Sequence, residues 1–153
     1  MTYQFLILPG WQGSGEDHWQ TQWEQLHGYQ RVEQHDWLTP LRGDWMMQLE
    51  EAVLQAPYPV VLVAHSLGCW LTAAWASHSQ NVAKVKAAFL VAPPDPKLFH
   101  VEPNLHSWRS CGLQALPFKN CVIYSTNDAY CTPTVSQEMV HVWGGKGISM
   151  GHA

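Results

Sequence analysis

The sequence predicts one three-layer α/β domain over residues 1–153, with a mostly parallel sheet. Short apolar runs alternate with segments whose apolar residues recur at helical spacing, which is the pattern of βαβ units. No repeat, low-complexity tract or linker interrupts this alternation. A chain of 153 residues is long enough to bury a core of its own without disulfides or a metal.

Apolar runs bounded by turn residues are predicted as strands. Val60 to Ala64 consists of β-branched and small apolar residues, which is typical of a central parallel strand covered on both faces. The other predicted strands are Tyr3 to Leu8, Arg31 to His35, Val85 to Ala92, Cys121 to Ser125 and Lys146 to Met150.

Helices are predicted between these strands from capping residues and apolar stripes. Ser14 to Asp17 has the spacing of a capping box, and Asp44 is expected to cap a second helix that ends before Pro57. Thr132-Pro133 is expected to open the last helix. The apolar stripes are Trp19, Trp23 and Leu26; Trp45, Leu49, Ala52 and Val53; Leu67, Trp70, Leu71, Ala74 and Trp75; and Val135, Met139 and Val142. Asp95 to Lys119 is expected to form a short helix and a loop over one edge of the sheet.

Composition and charge exclude several functional classes. Apolar residues make up 46% of the chain and charged residues 13%, so a folded globule is expected rather than a disordered chain. The net charge of -4 gives no electrostatic basis for binding nucleic acid. The apolar run from Phe5 to Leu8 is too short for a membrane span or a secretory signal, so no membrane association is expected.

The cysteines and histidines indicate neither disulfides nor a metal site. Cys69, Cys111, Cys121 and Cys131 form no Cys-x-x-Cys pair, which favours reduced thiols and a cytoplasmic location. The histidines before the C-terminus are scattered without metal-ligand spacing, so packing roles are the default for them, and His65 is expected to point away from its neighbour Ser66. No cofactor is expected.

Ala64-His65-Ser66-Leu67-Gly68 matches a nucleophile elbow. In this turn a strand passes sharply into a helix, and small residues two before and two after the serine let the turn close and expose the hydroxyl. The pattern alone also occurs by chance, but here a predicted strand precedes it and a helical stripe follows it. Ser66 is therefore predicted to be a nucleophile.

The other candidate site residues also follow predicted strands. Asp128 lies in the polar loop after Cys121 to Ser125, and a carboxylate there can orient a histidine base. A tetrahedral oxyanion needs backbone donors, for which the N–H groups of Leu67 and Trp11 are predicted. Trp11 is also expected to line an open, shallow substrate pocket, together with Tyr130 and the Asp95 region.

Several motifs together resemble the RBBP9/YdeN-like family of small serine hydrolases. They are Leu8-Pro9-Gly10-Trp11 with Ser14, Asp17-His18-Trp19, Trp23-Glu24, the elbow, Val91-Ala92-Pro93-Pro94-Asp95, and Ser125-Thr126-Asn127-Asp128-Ala129-Tyr130. The resemblance runs along nearly the whole chain. It implies a compact α/β-hydrolase without a lid domain, in which Ser66 and Asp128 occupy the nucleophile and acid positions.

The resemblance leaves two registers for the catalytic histidine. In the family, a Trp-Gly pair precedes a short strand that ends in glycine, and a Gly-His pair follows. Aligning Gly151 with the strand-ending glycine is gap-free and slightly preferred; it implies a chain that ends before the family's histidine and C-terminal helix. Aligning Gly151-His152 with the Gly-His pair makes His152 the base.

The motifs and the resemblance lead to two functional hypotheses. The first is a serine hydrolase that acts on small esters, thioesters or amides through a Ser66 acyl-enzyme, with a small acyl compound as its substrate. The alternative is a catalytically impaired or truncated relative that serves as a protein-interaction module. The expected assembly state is a monomer or a weak homodimer. The hypothesis of a nucleotide-binding protein has less support, because the first strand is followed by Pro9-Gly10-Trp11 instead of a G-x-G-x-x-G turn.

Overall fold

The computed structural model describes residues 2–13 and 18–152 of the chain. Its strands form one parallel six-stranded sheet in the order β2-β1-β3-β4-β5-β6. The predicted mostly parallel α/β architecture is confirmed. The strands are β1 (Gln4–Leu8), β2 (Gln30–Arg31), β3 (Val60–His65), β4 (Val85–Val91), β5 (Lys119–Tyr124) and β6 (Lys146–Ser149). The α-helices are α1 (Trp19–His27), α2 (Arg42–Gln55), α3 (Leu67–His78), α4 (Leu98–Val101) and α5 (Pro133–Trp143), and short 3-10 helices cover Val82–Lys84 and Pro103–Trp108.

The strand order fixes which face of the sheet each helix covers. The chain moves outward from β1 to β2 and then returns past β1 to β3, after which each strand is added on the same side. Because parallel crossovers are right-handed, α1 lies on one face, and α2, α3 and α5 lie on the other. Contacts of α2 with α3, and of α5 with β5 and β6, agree with this arrangement.

The central strand β3 leads into the most deeply buried helix. Val60 to Ala64 are all buried, as predicted for a strand covered on both faces. In α3 every residue from Leu67 to Trp75 is buried, so the helix is apolar around its whole first half. The turn between β3 and α3 therefore stands on a rigid core.

The predicted apolar stripe of α1 is wrong. The side chains of Trp23 and Leu26 are 42% and 77% exposed, and the buried residue of this helix is Gln20. Trp23 instead packs edge-on against Trp19 and Tyr29, in an aromatic cluster that stands partly outside the sheet. Helical spacing identified the helix, but its buried side is set by contacts with the strand ends.

The predicted start of α2 and extent of β2 also need correction. The helix begins at Arg42, and Asp44 does not cap it, because the Arg42 N–H donates to the Ser107 hydroxyl at 2.9 Å. A side chain distant in sequence thus satisfies one of the free amides at this helix start. The observed β2 is Gln30–Arg31, so only Arg31 of the predicted strand Arg31 to His35 belongs to it. The Val32 N–H still donates to the Ile7 carbonyl, and beyond Val32 the chain leaves β1. The predicted capping box at Ser14 to Asp17 lies outside the described residues.

One face of the sheet is exposed over β4 to β6. Phe89, Cys121 and Lys146 are register partners, as are Val91, Ile123 and Ile148, so these side chains share a face. Phe89 is 40% exposed and Ile148 46% exposed. The residues that alternate with them, such as Leu90 and Val122, are fully buried against the helices.

Candidate active site

Ser66 occupies the turn that the elbow pattern predicts. Its backbone has φ 54° and ψ -118°, a conformation that is rare for a residue with a side chain. The Ser66 N–H donates to the Val91 carbonyl at 2.9 Å, and the Cys69 N–H donates to the Ser66 carbonyl at 2.9 Å. The strained backbone is thus held between the end of β4 and the start of α3.

Two glycines make room for this turn. A Cβ atom on Gly68 would overlap the Leu8 carbonyl oxygen, so α3 can cross β1 this closely only with glycine here. A Cβ atom on Gly10 would lie 2.9 Å from the Ser66 Cβ and 3.1 Å from the His65 carbonyl oxygen. The predicted need for a small residue two positions after the serine therefore has a specific cause, which is contact with β1.

Ser66 lines a cavity of about 270 Å³ at the carboxyl end of the sheet. One part of the lining comes from the loop after β1 and from the elbow, and the other part is largely apolar. The lining residues are Gly10, Trp11, Gln12, Gly13, His18, His65, Ser66, Leu67, Pro94, Leu98, Phe99, Leu105 and Tyr130. The cavity lies where loops after parallel strands meet, as expected for a ligand site in this type of sheet. The segment after β4 contains a short helix, α4, as predicted, and it lines the cavity through Leu98, Phe99 and Leu105.

Two residues that line this cavity, Trp11 and Leu67, have backbone N–H groups without a partner among the described residues. Leu67 is the first residue of α3, where an N–H has no partner within the helix, and no described residue accepts from it or from the Trp11 N–H. The loop that carries Trp11 is fixed by bonds to a neighbouring segment, from the Gln12 N–H to the Trp37 carbonyl and from the Trp11 indole to the Leu38 carbonyl. Two anchored donors therefore border the Ser66 cavity.

Asp128 lies half-buried in the loop after β5, and its Oδ1 accepts from the Tyr130 N–H at 2.8 Å. His152 is exposed in the turn after β6, where the preceding Gly151 carbonyl accepts from the Thr126 N–H at 2.6 Å. The chain end and the Asp128 loop are thus neighbours. Within residues 2–13 and 18–152, however, no hydrogen bond joins His152 to Asp128 or to Ser66, and His152 does not line the cavity. The base role of His152 stays a prediction.

The histidines that line the cavity are His18 and His65, which the sequence had assigned to packing. Their rings lie edge to face with centroids 4.6 Å apart, and Trp19 packs against both. The His65 ring packs against His18 and Trp19, as a packing role implies, but His65 also lines the same cavity as Ser66. The expected direction of its side chain relative to Ser66 stays a prediction.

The start of α1 is tied to the strand ends by Gln20. Its buried amide donates to the Leu8 carbonyl at 3.2 Å and to the Val63 carbonyl at 3.0 Å, which lie near the carboxyl ends of β1 and β3. Buried carbonyls need such partners. His18 is the N-cap of the same helix, since its Nδ1 accepts from the Gln20 N–H at 3.2 Å. No sequence signal singled out Gln20, because the apolar spacing selected the tryptophan side of the helix.

Burial keeps both cavity histidines neutral. Desolvation, and then the neighbouring His18, lower the pKa of His65 to about 4. Burial also lowers the pKa of His18, helped by the charge of Arg31. At neutral pH both imidazoles are therefore uncharged polar groups on the cavity wall.

The low pKa of His65 predicts a loss of stability in acid. The unfolded side chain titrates near 6.5 and the folded one near 4, so between these pH values the unfolded state binds a proton that the folded state excludes. The stability that His65 contributes is complete above the unfolded value and falls as the pH is lowered toward 4, by about 3 kcal/mol at most. Urea unfolding of the wild type and of His65→Gln, at about pH 7.5 and about pH 4.5, measures this difference. An equal acid loss in both proteins would contradict it.

In the described parts of the chain, no group of three or more His, Cys, Asp and Glu side chains is arranged to hold a metal ion. No helix among the same residues has the length and apolar character needed to cross a bilayer.

A parallel sheet, a strained serine between β3 and the buried α3, and a cavity that this serine lines at the carboxyl end of the sheet define an α/β-hydrolase. The chain belongs to the serine hydrolase family, whose model matches residues 5–153. It is accordingly a hydrolase, and the resemblance to YdeN-like small serine hydrolases is confirmed.

Solved structures share this fold. A protein of Pectobacterium atrosepticum described as a YdeN-like hydrolase aligns with a TM-score of 0.85 and 22% identity, over 99% of this chain and 78% of that one. The ydeN gene product of B. subtilis aligns with a TM-score of 0.74 and 22% identity, over 99% and 86%. Est1E of Butyrivibrio proteoclasticus, solved with ferulic acid bound, aligns with a TM-score of 0.78 and 9% identity, over 98% and 80%. A search of curated protein sequences gave no match.

Proposed function

We propose that the protein hydrolyses small esters, thioesters or amides through an acyl-enzyme on Ser66. The observation that carries this proposal is the backbone of Ser66, which keeps a costly conformation at the edge of a cavity. Strain of this kind persists where the surrounding structure fixes it, and such positions cluster at active sites. Within the described residues the Ser66 hydroxyl has no hydrogen-bond partner, so it is open to a substrate.

In this proposal the Ser66 Oγ attacks the substrate carbonyl carbon while a histidine takes the hydroxyl proton. The carbonyl oxygen becomes an oxyanion that accepts from the N–H groups of Trp11 and Leu67, and the start of α3 adds a favourable dipole. The histidine then protonates the departing alcohol, thiol or amine. Water attacks the acyl-enzyme in a second cycle, which releases the acid and restores the serine.

The proposed base is His152, oriented by Asp128. The support is the position of Gly151 beside Thr126, which brings the chain end to the Asp128 loop. To reach Ser66, the imidazole would have to turn inward from its exposed position. Replacing His152 with glutamine is the direct check on this role, since a base lowers the barrier to attack and its loss slows acylation.

Labelling with a fluorophosphonate probe tests the proposal. These probes phosphonylate an activated serine, and we expect one adduct, mapped to Ser66 by mass spectrometry. No adduct in well-folded protein would overturn the proposed chemistry. In the same assay, His152→Gln is expected to label more slowly, and an unchanged rate would remove His152 from the mechanism while leaving Ser66 in it.

A small acyl group is proposed because the cavity is only about 270 Å³ and part of its wall is formed by Leu98, Phe99 and Leu105. A series of p-nitrophenyl esters should therefore be cleaved best at short acyl lengths. Preference for long chains alone would contradict this size limit.

A second candidate function is association with a second copy of the chain. The observation that favours it is the exposed apolar face over β4 to β6, which continues to β6 at the edge of the sheet. An exposed edge strand can pair with another chain, and a neighbouring apolar face adds buried area. Sedimentation across a range of concentrations tests this candidate, and a clean monomer throughout would count against it.

A further inference from the structure

A donor on the wall of the Ser66 cavity has no role in the mechanism above. It belongs to His18, whose ring lies beside His65 and lines the same cavity. The Nδ1 of His18 accepts from the Gln20 N–H, so the proton of the neutral ring is on Nε2. No described residue accepts a hydrogen bond from that Nε2–H.

His18 is held in a defined position. It caps α1 through Nδ1, and the adjacent Gln20 amide fixes the start of that helix to the ends of β1 and β3. The faces and edges of His65 and Trp19 limit rotation of the ring. A polar group fixed in this way recognises a ligand group at little cost in entropy.

One part of the cavity wall is apolar, because Pro94, Leu98, Phe99 and Leu105 offer no side-chain hydrogen bond. Gln12 and Tyr130 also line the cavity and carry polar groups. A cavity that is mostly apolar with a few placed polar groups is typical of a specific small-molecule site. The His18 donor is one of those groups.

We propose that His18 is a specificity-determining residue, whose Nε2–H donates to a hydroxyl oxygen on an otherwise apolar substrate. The inference rests on the proposed function of the Ser66 site. It narrows the substrate class to hydroxyl-bearing acyl compounds. The group that selects the hydroxyl is a neutral imidazole rather than a charged side chain.

Two substitutions separate this role from the structural role of His18. Asparagine is a preferred N-cap, so His18→Asn keeps the bond to the Gln20 N–H, but its short amide ends before the Nε2 position. Glutamine is a weak N-cap, yet its longer amide can place an N–H donor near that position. If His18 only supports α1, the asparagine variant should resemble the wild type more closely than the glutamine variant does.

Binding is measured first in the Ser66→Ala protein, which needs no hydrolytic activity. Two isosteric pairs of amides place a hydroxyl on either side of the carbonyl: N-hydroxyethylacetamide against N-propylacetamide, and N-ethylglycolamide against N-ethylpropanamide. Nitrogen NMR of the imidazoles follows the titrations. We expect the hydroxyl member of at least one pair to bind about 3- to 12-fold more tightly and to shift the His18 Nε2 resonance.

The same binding measurements on the two His18 variants test whether His18 causes the preference for the hydroxyl. The preference should disappear in His18→Asn and persist at least in part in His18→Gln. Equal binding within both pairs, or a preference that survives in His18→Asn, would overturn the inference. Because this readout does not use hydrolysis, it stays informative if the probe fails to label Ser66. The matching esters separate the two proposals: hydroxyethyl acetate is compared with propyl acetate, and ethyl glycolate with ethyl propanoate. If these esters are cleaved with equal kcat/KM within each pair, the proposed hydrolase function stands and the proposed role of His18 fails.

Discussion

Replacing Ser66 with alanine is expected to lower kcat/KM for a short p-nitrophenyl ester by at least about a thousandfold. The hydroxyl is the only part of Ser66 that alanine lacks, and without it no acyl-enzyme can form. The proposed oxyanion donors at Trp11 and Leu67 would remain, so weak residual hydrolysis is compatible with the proposed mechanism. Initial rates on purified, folded protein give the measurement.

Ser110→Ala is the matched control, because Ser110 is exposed and does not line the cavity. Its kcat/KM should equal that of the wild type. Ser66→Gly supplies a second check: glycine tolerates φ 54°, so this variant should be inactive and more stable than Ser66→Ala by about 1 kcal/mol. Full activity in either Ser66 variant would place the nucleophile elsewhere.

Replacing Gly68 with alanine is expected to destabilise the protein by about 3 kcal/mol. The new methyl group would overlap the Leu8 carbonyl oxygen and lie 3.1 Å from the Leu8 carbonyl carbon. Both atoms belong to the backbone of β1, which pairs with β3 and cannot move aside as a flexible side chain could. Either α3 or β1 has to shift, and both carry the walls of the Ser66 cavity. We expect a melting temperature about 6 to 12 °C lower and slower labelling of Ser66.

Gly43→Ala is a close control for this change. Gly43 is the second residue of α2, as Gly68 is of α3, but a Cβ atom at Gly43 meets nothing within 4 Å. Alanine is a better helix former than glycine, so this variant should be as stable as the wild type or slightly more stable. Equal melting temperatures for the Gly68 and Gly43 variants would show that the close approach to Leu8 is not a constraint.

The alternation of strands and helices was predictable because each element carries its own local signal. Apolar β-branched residues marked β3, and turn residues marked the strand ends. The buried face of α2, with Trp45, Leu49 and Val53, followed from helical spacing. Prediction failed for features that are determined by contacts between residues distant in sequence. Ser107 rather than Asp44 supports the start of α2, and Gln20 rather than Trp23 faces the sheet.

The sequence by itself determined the fold class, the position of the elbow and the loops that carry Trp11, Ser66 and Asp128, because these depend on short patterns and on chain order. Only the tertiary structure decided which histidines line the cavity of the serine. His18 and His65 line its cavity, whereas His152 lies exposed beside the Asp128 loop. The physical reason is that a strained turn and a buried amide set the directions of side chains across separate elements, and no local pattern records those directions. The Ser66 elbow could therefore be predicted from five residues, but the residues that surround it could be identified only from the folded structure.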